Sequence, residues 1–181
     1  MKMDHYYNYQ EMTDFLKSAQ KNYPKLMSLQ SLGKTSFKRE IWLATITNPE
    51  TGTADSKPAF WVDGNTHASE ISGTQSAMYL IYRLLTESKK NPELQYLLDH
   101  VTFYVVPRIS ADGAEYFLET EHEVRSSLVP WPNPPAHENL IPEDINGDGM
   151  ILTMRKDKLR IAPTLPMRRT TNWVLITCAT T

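Results

Sequence analysis

The fold of this chain is decided by residues 58–70, which read PAFWVDGNTHASE. A continuous apolar run over 58–62 ends at the turn-forming pair Asp63-Gly64, and from Ser69 onward apolar residues recur at helical spacing. Such a run is typical of a strand that is covered on both faces of its sheet. The stretch therefore predicts a buried strand, a turn and then a long amphipathic helix.

A second buried strand is predicted at residues 101–106, which read VTFYVV. A short helix predicted over 92–100 precedes it, so helices connect the two strands. That order predicts a parallel pair of strands with a right-handed crossover. Because sites in open α/β sheets form just beyond the carboxyl ends of such strands, we expect His67 and residues 108–113 at the same edge.

The first fifty residues predict a helix and an antiparallel pair of strands. Residues 8–11, NYQE, have the pattern of a capping box, in which Asn8 accepts from early backbone N–H groups while Glu11 reaches back. Two strand-like runs follow at 26–32 and 40–47. Together with the parallel pair, these elements predict an α/β fold with a mixed parallel/antiparallel sheet flanked by helices.

Composition and charge narrow the class of protein. With 40% apolar and 22% charged residues among 181, the chain resembles a folded domain rather than a disordered or fibrous protein. Its net charge of -2 gives no electrostatic reason to expect nucleic acid or a membrane as partner. The single Cys178 excludes an internal disulfide, and no apolar leader is present. These features predict a cytoplasmic protein, with a secreted mature form as the alternative.

His67 and Glu70 place an imidazole and a carboxylate at the mouth of the predicted turn. Zinc binds imidazole nitrogen and carboxylate oxygen, and catalytic zinc sites typically take three protein ligands and leave one position for water. The spacing predicts His67 on the turn and Glu70 on the first turn of the following helix, both pointing inward. Such pairs also occur in solvated turns, but the position after a buried strand favours a Zn2+ site.

Residues 8–119 resemble the opening half of a zinc carboxypeptidase of the carboxypeptidase A type. The matching segments occur in order and at the right separations. They are the first helix at 9–16, the first hairpin at 32–41, the metal motif at 63–70 and the segment at 106–113, which that family usually ends in Asn-Pro-Asp-Gly.

The resemblance implies roles for three side chains. His67 and Glu70 match the family's metal ligands, and Arg125 matches the arginine that polarises the scissile carbonyl. A fixed guanidinium beside a metal stabilises the oxyanion that forms when water attacks an amide. The alternative for Arg125 is an ordinary surface arginine after the acidic run 119–123.

The chain departs from the family's pattern in its second half. The family's third metal ligand is a histidine well downstream, yet no histidine follows His137, which lies in a proline-rich loop and is a poor substitute. The family's glutamate general base, its tyrosine near the substrate and its Asn-Arg clamp for the terminal carboxylate are missing too. Ser110-Ala111 also replaces the family's Asn-Pro. We therefore expect an incomplete domain with weak zinc affinity and little or no activity.

Two segments near the carboxyl end stand apart. Residues 144–149, DINGDG, match the first half of a calcium-binding loop, but Arg155 stands where the loop requires glutamate, so a simple turn is favoured. The segment also resembles one in a bacterial subgroup of the same peptidases, and a short strand is predicted at 151–155. We predict that residues 1–164 are the N-terminal part of the domain and that 165–181 are an atypical tail, not native to the fold.

The sequence thus predicts a zinc-dependent metallocarboxypeptidase that hydrolyses C-terminal peptide bonds, with a peptide or protein C-terminus as substrate and neither nucleic acid nor membrane as partner. Two alternatives remain. A zinc amidohydrolase acting on non-protein amides would use the same ligand pair with a different substrate clamp, whereas the missing groups favour a non-catalytic binding or vestigial module. An incomplete sheet also predicts an exposed edge through which copies self-associate.

Overall fold

The computed structural model describes residues 4–125, 127–129, 149–155 and 175–180. The chain divides into two compact units, Met1–Pro130 and Trp131–Thr181. Each unit is a body of its own, and the residues predicted to form the site lie in the first.

The first unit is a four-stranded sheet with helices. Its strands lie in the order β1-β2-β4-β3, and β1–β2 and β2–β4 pair antiparallel while β3–β4 pairs parallel. The predicted mixed sheet is therefore confirmed. The elements are α1 (Tyr9–Asn22), β1 (Met27–Lys34), β2 (Glu40–Ile46), β3 (Ala59–Asp63), α2 (Ser72–Glu87), α3 (Pro92–His100), β4 (Thr102–Val106) and α4 (Ala111–Glu119).

Two asparagines start helices where the sequence predicts them. Oδ1 of Asn8 accepts from the backbone N–H of Glu11, and Oε2 of Glu11 accepts from the backbone N–H of Asn8, both at 2.9 Å. The predicted capping box of α1 is thus confirmed. At α3, Asn91 accepts from the N–H groups of the next turn, and Pro92, which has no N–H to lose, occupies the first helical position.

The core lies where α1 and α2 pack against the sheet. Leu16 of α1, Met78 and Ile81 of α2, and Val105 of β4 are fully buried in one cluster. Burying an apolar side chain of this size contributes roughly 1.5–3 kcal/mol. Four of the five residues of β4 are buried, so the prediction of a buried strand is confirmed for this central strand.

For β3, the prediction of a strand covered on both faces is wrong. Phe60 and Trp61 are each 54% exposed, and β3 pairs with β4 alone. The physical reason is that burial of a face depends on what packs over it: Phe60 and Trp61 point to opposite faces of the sheet, and the described elements cover neither ring fully. A run of apolar residues indicates what a strand is suited to contact, but not which elements pack over it.

The parallel pairing of β3 with β4 places the two carboxyl ends side by side. Asp63 is opposite Val106 in the register, and the N–H of Gly64 donates to the carbonyl of Val106 at 2.9 Å. Residues 64–70 and 107–113 are therefore adjacent segments that start where the carboxyl ends of β3 and β4 meet. This is the arrangement that the strand order predicts.

The second unit contains a two-stranded antiparallel sheet of β5 (Gly149–Arg155) and β6 (Leu175–Thr180), which confirms the strand predicted at 151–155. Residues 144–148 of the calcium-loop-like segment and His137 lie outside the described residues. Among the residues that the structure describes, no helix is long and apolar enough to cross a membrane.

Candidate metal centre

The turn after β3 is compressed against two neighbouring segments at Gly64. A Cβ added to Gly64 would lie 2.6 Å from the carbonyl oxygen of Gly73 and 2.7 Å from that of Pro107. No real side chain fits at those distances, so glycine lets the start of α2 and the end of β4 close on the turn. Asn65, the next residue, has a φ of 54°, a left-handed conformation that asparagine tolerates better than most residues.

The side chain of Asn65 holds the turn from inside. It is 3% exposed, and its Nδ2 donates to the carbonyls of His67 at 2.6 Å and of Ala68 at 3.0 Å. Its Oδ1 accepts from the hydroxyl of Thr74 at 3.2 Å, and its backbone carbonyl accepts from the N–H of Ser110 at 3.0 Å. One residue therefore fixes the backbone on which His67 is carried.

The structure brings the three predicted site residues together. Nδ1 of His67 lies 3.0 Å from Oε2 of Glu70, and Nη2 of Arg125 lies 3.3 Å from Nε2 of His67. The Arg125 guanidinium also lies 3.9 Å from Oε1 of Glu70. The side chains of His67 and Glu70 are 39% and 56% exposed, and that of Arg125 is 73% exposed. The cluster is open to solvent and accessible to an ion or a substrate.

Backbone and side-chain contacts tie the segment around Arg125 to the turn. The carbonyl of Arg125 accepts from the N–H of Ala68 at 2.8 Å. The hydroxyl of Ser69 donates to Oε1 of Glu123 at 2.9 Å. Arg125 is thus held by its main chain, while its guanidinium is left to extend over His67.

The prediction that Glu70 lies on the first turn of the helix is wrong, because α2 begins at Ser72. Glu70 lies in the preceding turn, where its N–H donates to the carbonyl of His67 at 3.2 Å and its carbonyl accepts from Gly73 at 3.1 Å. Ser69 would make a good N-cap, but its hydroxyl is bonded to Glu123 instead. The helix therefore starts later than its sequence pattern suggests.

The two ring nitrogens of His67 face different partners. Nδ1 faces the carboxylate of Glu70, and Nε2 faces the guanidinium of Arg125. A metal held through Nδ1 takes the neutral ring with its proton on Nε2, so the tautomer decides which nitrogen is available to an ion.

Nδ1 of His67 and Oε2 of Glu70 lie 3.0 Å apart, a hydrogen-bond distance that is also near the separation of about 3.4 Å between two donors of a tetrahedral zinc site. Across the described ranges, no group of three or more His, Cys, Asp or Glu side chains that could hold a metal is found. A catalytic zinc site usually has three protein ligands.

Comparison with known proteins identifies the family. The sequence model of the zinc carboxypeptidase family matches residues 12–134, which include His67, Glu70 and Arg125. The chain belongs to the zinc carboxypeptidase family.

Three relatives show how much of a zinc carboxypeptidase is present. Mouse carboxypeptidase M is 31% identical over 114 residues, which are 62% of this chain and 26% of that protein. A metallo-carboxypeptidase from Burkholderia cenocepacia is 28% identical, with a TM-score of 0.53 over 61% of this chain and 28% of that one. Thrombin-activatable fibrinolysis inhibitor shares the fold at 20% identity, with a TM-score of 0.65 over 71% of this chain and 32% of that one. The chain spans about a quarter to a third of the length of these relatives.

Behind the zinc carboxypeptidase motif lies a buried arginine that the sequence did not single out. Arg108 is 2% exposed, and it pairs with Oε1 of Glu115 at 2.8 Å and donates to the carbonyl of Tyr7 at 2.6 Å. Its Nε donates to the hydroxyl of Thr74 at 3.1 Å. Burial raises the pKa of Glu115 and lowers that of Arg108. The sequence shows an arginine two residues after a buried strand and a glutamate seven residues later, a pattern that does not by itself indicate a buried pair.

Proposed function

We propose that this chain carries the metal-binding turn of a zinc-dependent metallocarboxypeptidase, with His67 and Glu70 as two zinc ligands and Arg125 as the cation that polarises the substrate carbonyl. The observation that carries the proposal is that Arg125, from a segment 58 residues further along the chain, lies 3.3 Å from His67, which in turn lies 3.0 Å from Glu70 of the same turn. The reaction is hydrolysis of the C-terminal peptide bond of a peptide or protein.

The three side chains have separate tasks. Bound zinc supplies a Lewis acid and an activated water. His67 and Glu70 hold the ion, and Asn65 keeps their turn in shape through the carbonyls of His67 and Ala68. Arg125, exposed and held by its backbone, can direct guanidinium N–H groups at a carbonyl oxygen on which negative charge develops.

The affinity for zinc and the turnover of the chain are both expected to be low. Within the described part of the chain, no third donor joins His67 and Glu70. A catalytic zinc site usually has three protein ligands, so a site with two is expected to bind the ion more weakly. This expectation also supports the non-catalytic alternative, in which the turn binds a metal or a peptide without cleaving it.

Zinc titration by calorimetry tests the proposed ligands. His67→Ala should weaken binding by at least about tenfold, and Glu70→Gln should have a similar effect, because each removes one of two protein donors. His100→Ala is the matched control, since it removes an exposed imidazole at the end of α3. If His67→Ala and the wild type bind zinc equally, His67 is not a ligand and the proposal fails.

Hydrolysis assays separate the peptidase from its alternatives. Zinc-replete protein incubated with a blocked dipeptide should release the C-terminal amino acid slowly, and His67→Ala should abolish that release. Cleavage of an acylated amino acid but of no dipeptide would support the amidohydrolase. Zinc binding through His67 with no cleavage of either substrate would support the non-catalytic module.

Self-association through β3 is part of the same proposal. Phe60 and Trp61 are each 54% exposed on an edge strand, and an apolar edge is a template for pairing with another chain. Sedimentation should find dimers or larger species that Trp61→Lys disperses. A monomer at all concentrations would contradict this.

The cytoplasmic location stays a prediction from the sequence that no comparison supports, with a secreted mature form as the alternative.

A further inference from the structure

A line of hydrogen bonds runs from a buried ion pair to the carbonyl of His67. It starts at Glu115 and Arg108, continues from Nε of Arg108 to the hydroxyl of Thr74 at 3.1 Å, and from that hydroxyl to Oδ1 of Asn65 at 3.2 Å. Asn65 then donates to the carbonyl of His67 at 2.6 Å. The four side chains in the line are 9% exposed or less, so water competes little for these bonds.

We propose that Arg108 and Thr74 are positioning residues that hold the His67 turn in its metal-binding conformation, acting through Asn65. The proposal rests on the proposed function, in that it assigns to these residues the preorganisation of that same site. The side-chain hydrogen bonds that lead from Thr74 toward His67 run through the amide of Asn65, which is therefore the route by which the two residues are proposed to act.

Because the guanidinium of Arg108 can only donate, it fixes which group donates and which accepts in the hydrogen bonds of this line. A guanidinium cannot accept, so the hydroxyl of Thr74 must be the acceptor from Arg108. The hydroxyl has one hydrogen, and that hydrogen is left for Oδ1 of Asn65. With Oδ1 so engaged, both hydrogens of the Asn65 amide face the carbonyls of His67 and Ala68. The two carbonyls can only accept, so they set which way round the amide sits, and the buried arginine keeps the hydrogen of the Thr74 hydroxyl available for Oδ1.

The turn needs such support because its backbone is not a relaxed one. Asn65 adopts a positive φ of 54° and Gly64 is in contact with backbone on two sides. A non-glycine residue in this conformation is strained and persists when its surroundings fix it. The bonds of the Asn65 amide to two carbonyls of the turn supply that constraint.

The cost of the ion pair also indicates a role beyond stability. The side chains of Arg108 and Glu115 are 1% and 7% exposed, and a pair taken out of water to this extent is often no more stabilising than apolar residues of the same size. What an apolar pair could not supply are the donors to the hydroxyl of Thr74 and to the carbonyl of Tyr7. The first of these donors is the one that connects the ion pair to the amide of Asn65.

The decisive experiment compares Thr74→Val with Thr74→Ser. Valine keeps the shape of threonine but has no hydroxyl, whereas serine keeps the hydroxyl. Thr13→Val is the matched control, since Thr13 is also buried in a helix and its hydroxyl accepts from the indole of Trp42 at 3.1 Å. Each variant is compared by thermal unfolding, by zinc titration and by the backbone amide spectrum of the metal-free protein.

Thr74→Val should shift the amide signals of His67 and Ala68 and weaken zinc binding by about 10- to 100-fold, as outer-shell changes at metal sites do. Thr74→Ser keeps the hydroxyl, so it should keep both the amide signals and the zinc affinity near their wild-type values. Thr13→Val should lower the unfolding temperature without either effect. If Thr74→Val changes stability as Thr13→Val does and leaves the zinc affinity and these amide signals at wild-type values, the inference is overturned.

Failure of the inference can be told from failure of the proposed function. If wild type and His67→Ala bind zinc equally, the ligand assignment fails, and the metal-free amide signals still decide whether Thr74 positions the turn. If zinc binds through His67 and Thr74→Val binds it as tightly as wild type, the positioning role alone is refuted.

Discussion

Nη2 of Arg125 lies 3.3 Å from Nε2 of His67, although 58 residues separate the two in sequence. The contact places a permanent positive charge beside the imidazole that is proposed to hold a dication. In water, a unit charge about 5 Å from a dication costs roughly 1–2 kcal/mol. The side chain that would assist hydrolysis is therefore one that opposes binding of the metal.

Arg125→Gln should accordingly bind zinc more tightly than wild type, by up to about tenfold at low ionic strength. Calorimetric titration at two salt concentrations measures the effect, and the gain should shrink at high salt because ions screen exposed charges. Arg83→Gln is the control, since Arg83 pairs with Glu87 on α2 and is not part of the site. Weaker binding by Arg125→Gln would mean that the guanidinium helps to hold the ligands.

The buried pair of Arg108 and Glu115 should respond asymmetrically to substitution. Arg108→Met leaves the carboxylate of Glu115 without its buried partner and should lower the free energy of unfolding by about 3–5 kcal/mol. The double variant Arg108→Met/Glu115→Leu should recover most of that loss, because no unpaired charge remains. Urea unfolding measures both, and a double variant as unstable as the single one would contradict this account.

Asp112 anchors the loop between β1 and β2. Its carboxylate accepts from the hydroxyl of Thr35 at 2.8 Å, the N–H of Phe37 at 3.1 Å and the guanidinium of Arg39 at 3.0 Å. Asp112→Asn removes the charge and one acceptor, and should lower the free energy of unfolding by about 1–3 kcal/mol. Asp14→Asn, at an exposed position of α1, should change it by less than about 0.5 kcal/mol. Equal losses in the two variants would contradict the anchoring role.

Asp99 should contribute to acid sensitivity. Hydrogen bonds from Asn48 and Gln95 lower its pKa below the ordinary value of 3.8. The folded state therefore holds this proton less tightly than the unfolded state, so its stabilisation is present above pH 3.8 and is lost as the pH falls through the folded pKa. Asp99→Asn should be less stable than wild type at pH 7 and approach it at pH 3.

Thermal unfolding at a series of pH values measures this difference between Asp99→Asn and wild type. Glu93→Gln, an exposed change on α3, is the control and should follow the wild-type curve. A difference that stays constant from pH 7 to pH 3 would show that the stabilisation does not depend on the ionised carboxylate.

Local patterns in the sequence were enough to predict most of the sheet and the convergence at its edge. The residues that predict β4, the crossover and the Asn8 cap lie within these elements or beside them in sequence. His67 was predictable because it follows the end of a strand. The exposure of β3 was not predictable, because it depends on which distant elements pack over the two faces of the strand. Arg108 was missed for a similar reason: its partner Tyr7 is 101 residues away, and a charged residue after a strand gives no sign of burial.

The backbone carbonyl of Arg125 accepts from the N–H of Ala68, so residue 125 is held in place whichever side chain it carries. Evolution or a protein engineer can exchange that side chain without releasing the backbone that presents it over His67. The charge beside the proposed ligands His67 and Glu70 can therefore change while the main chain that carries it stays in place.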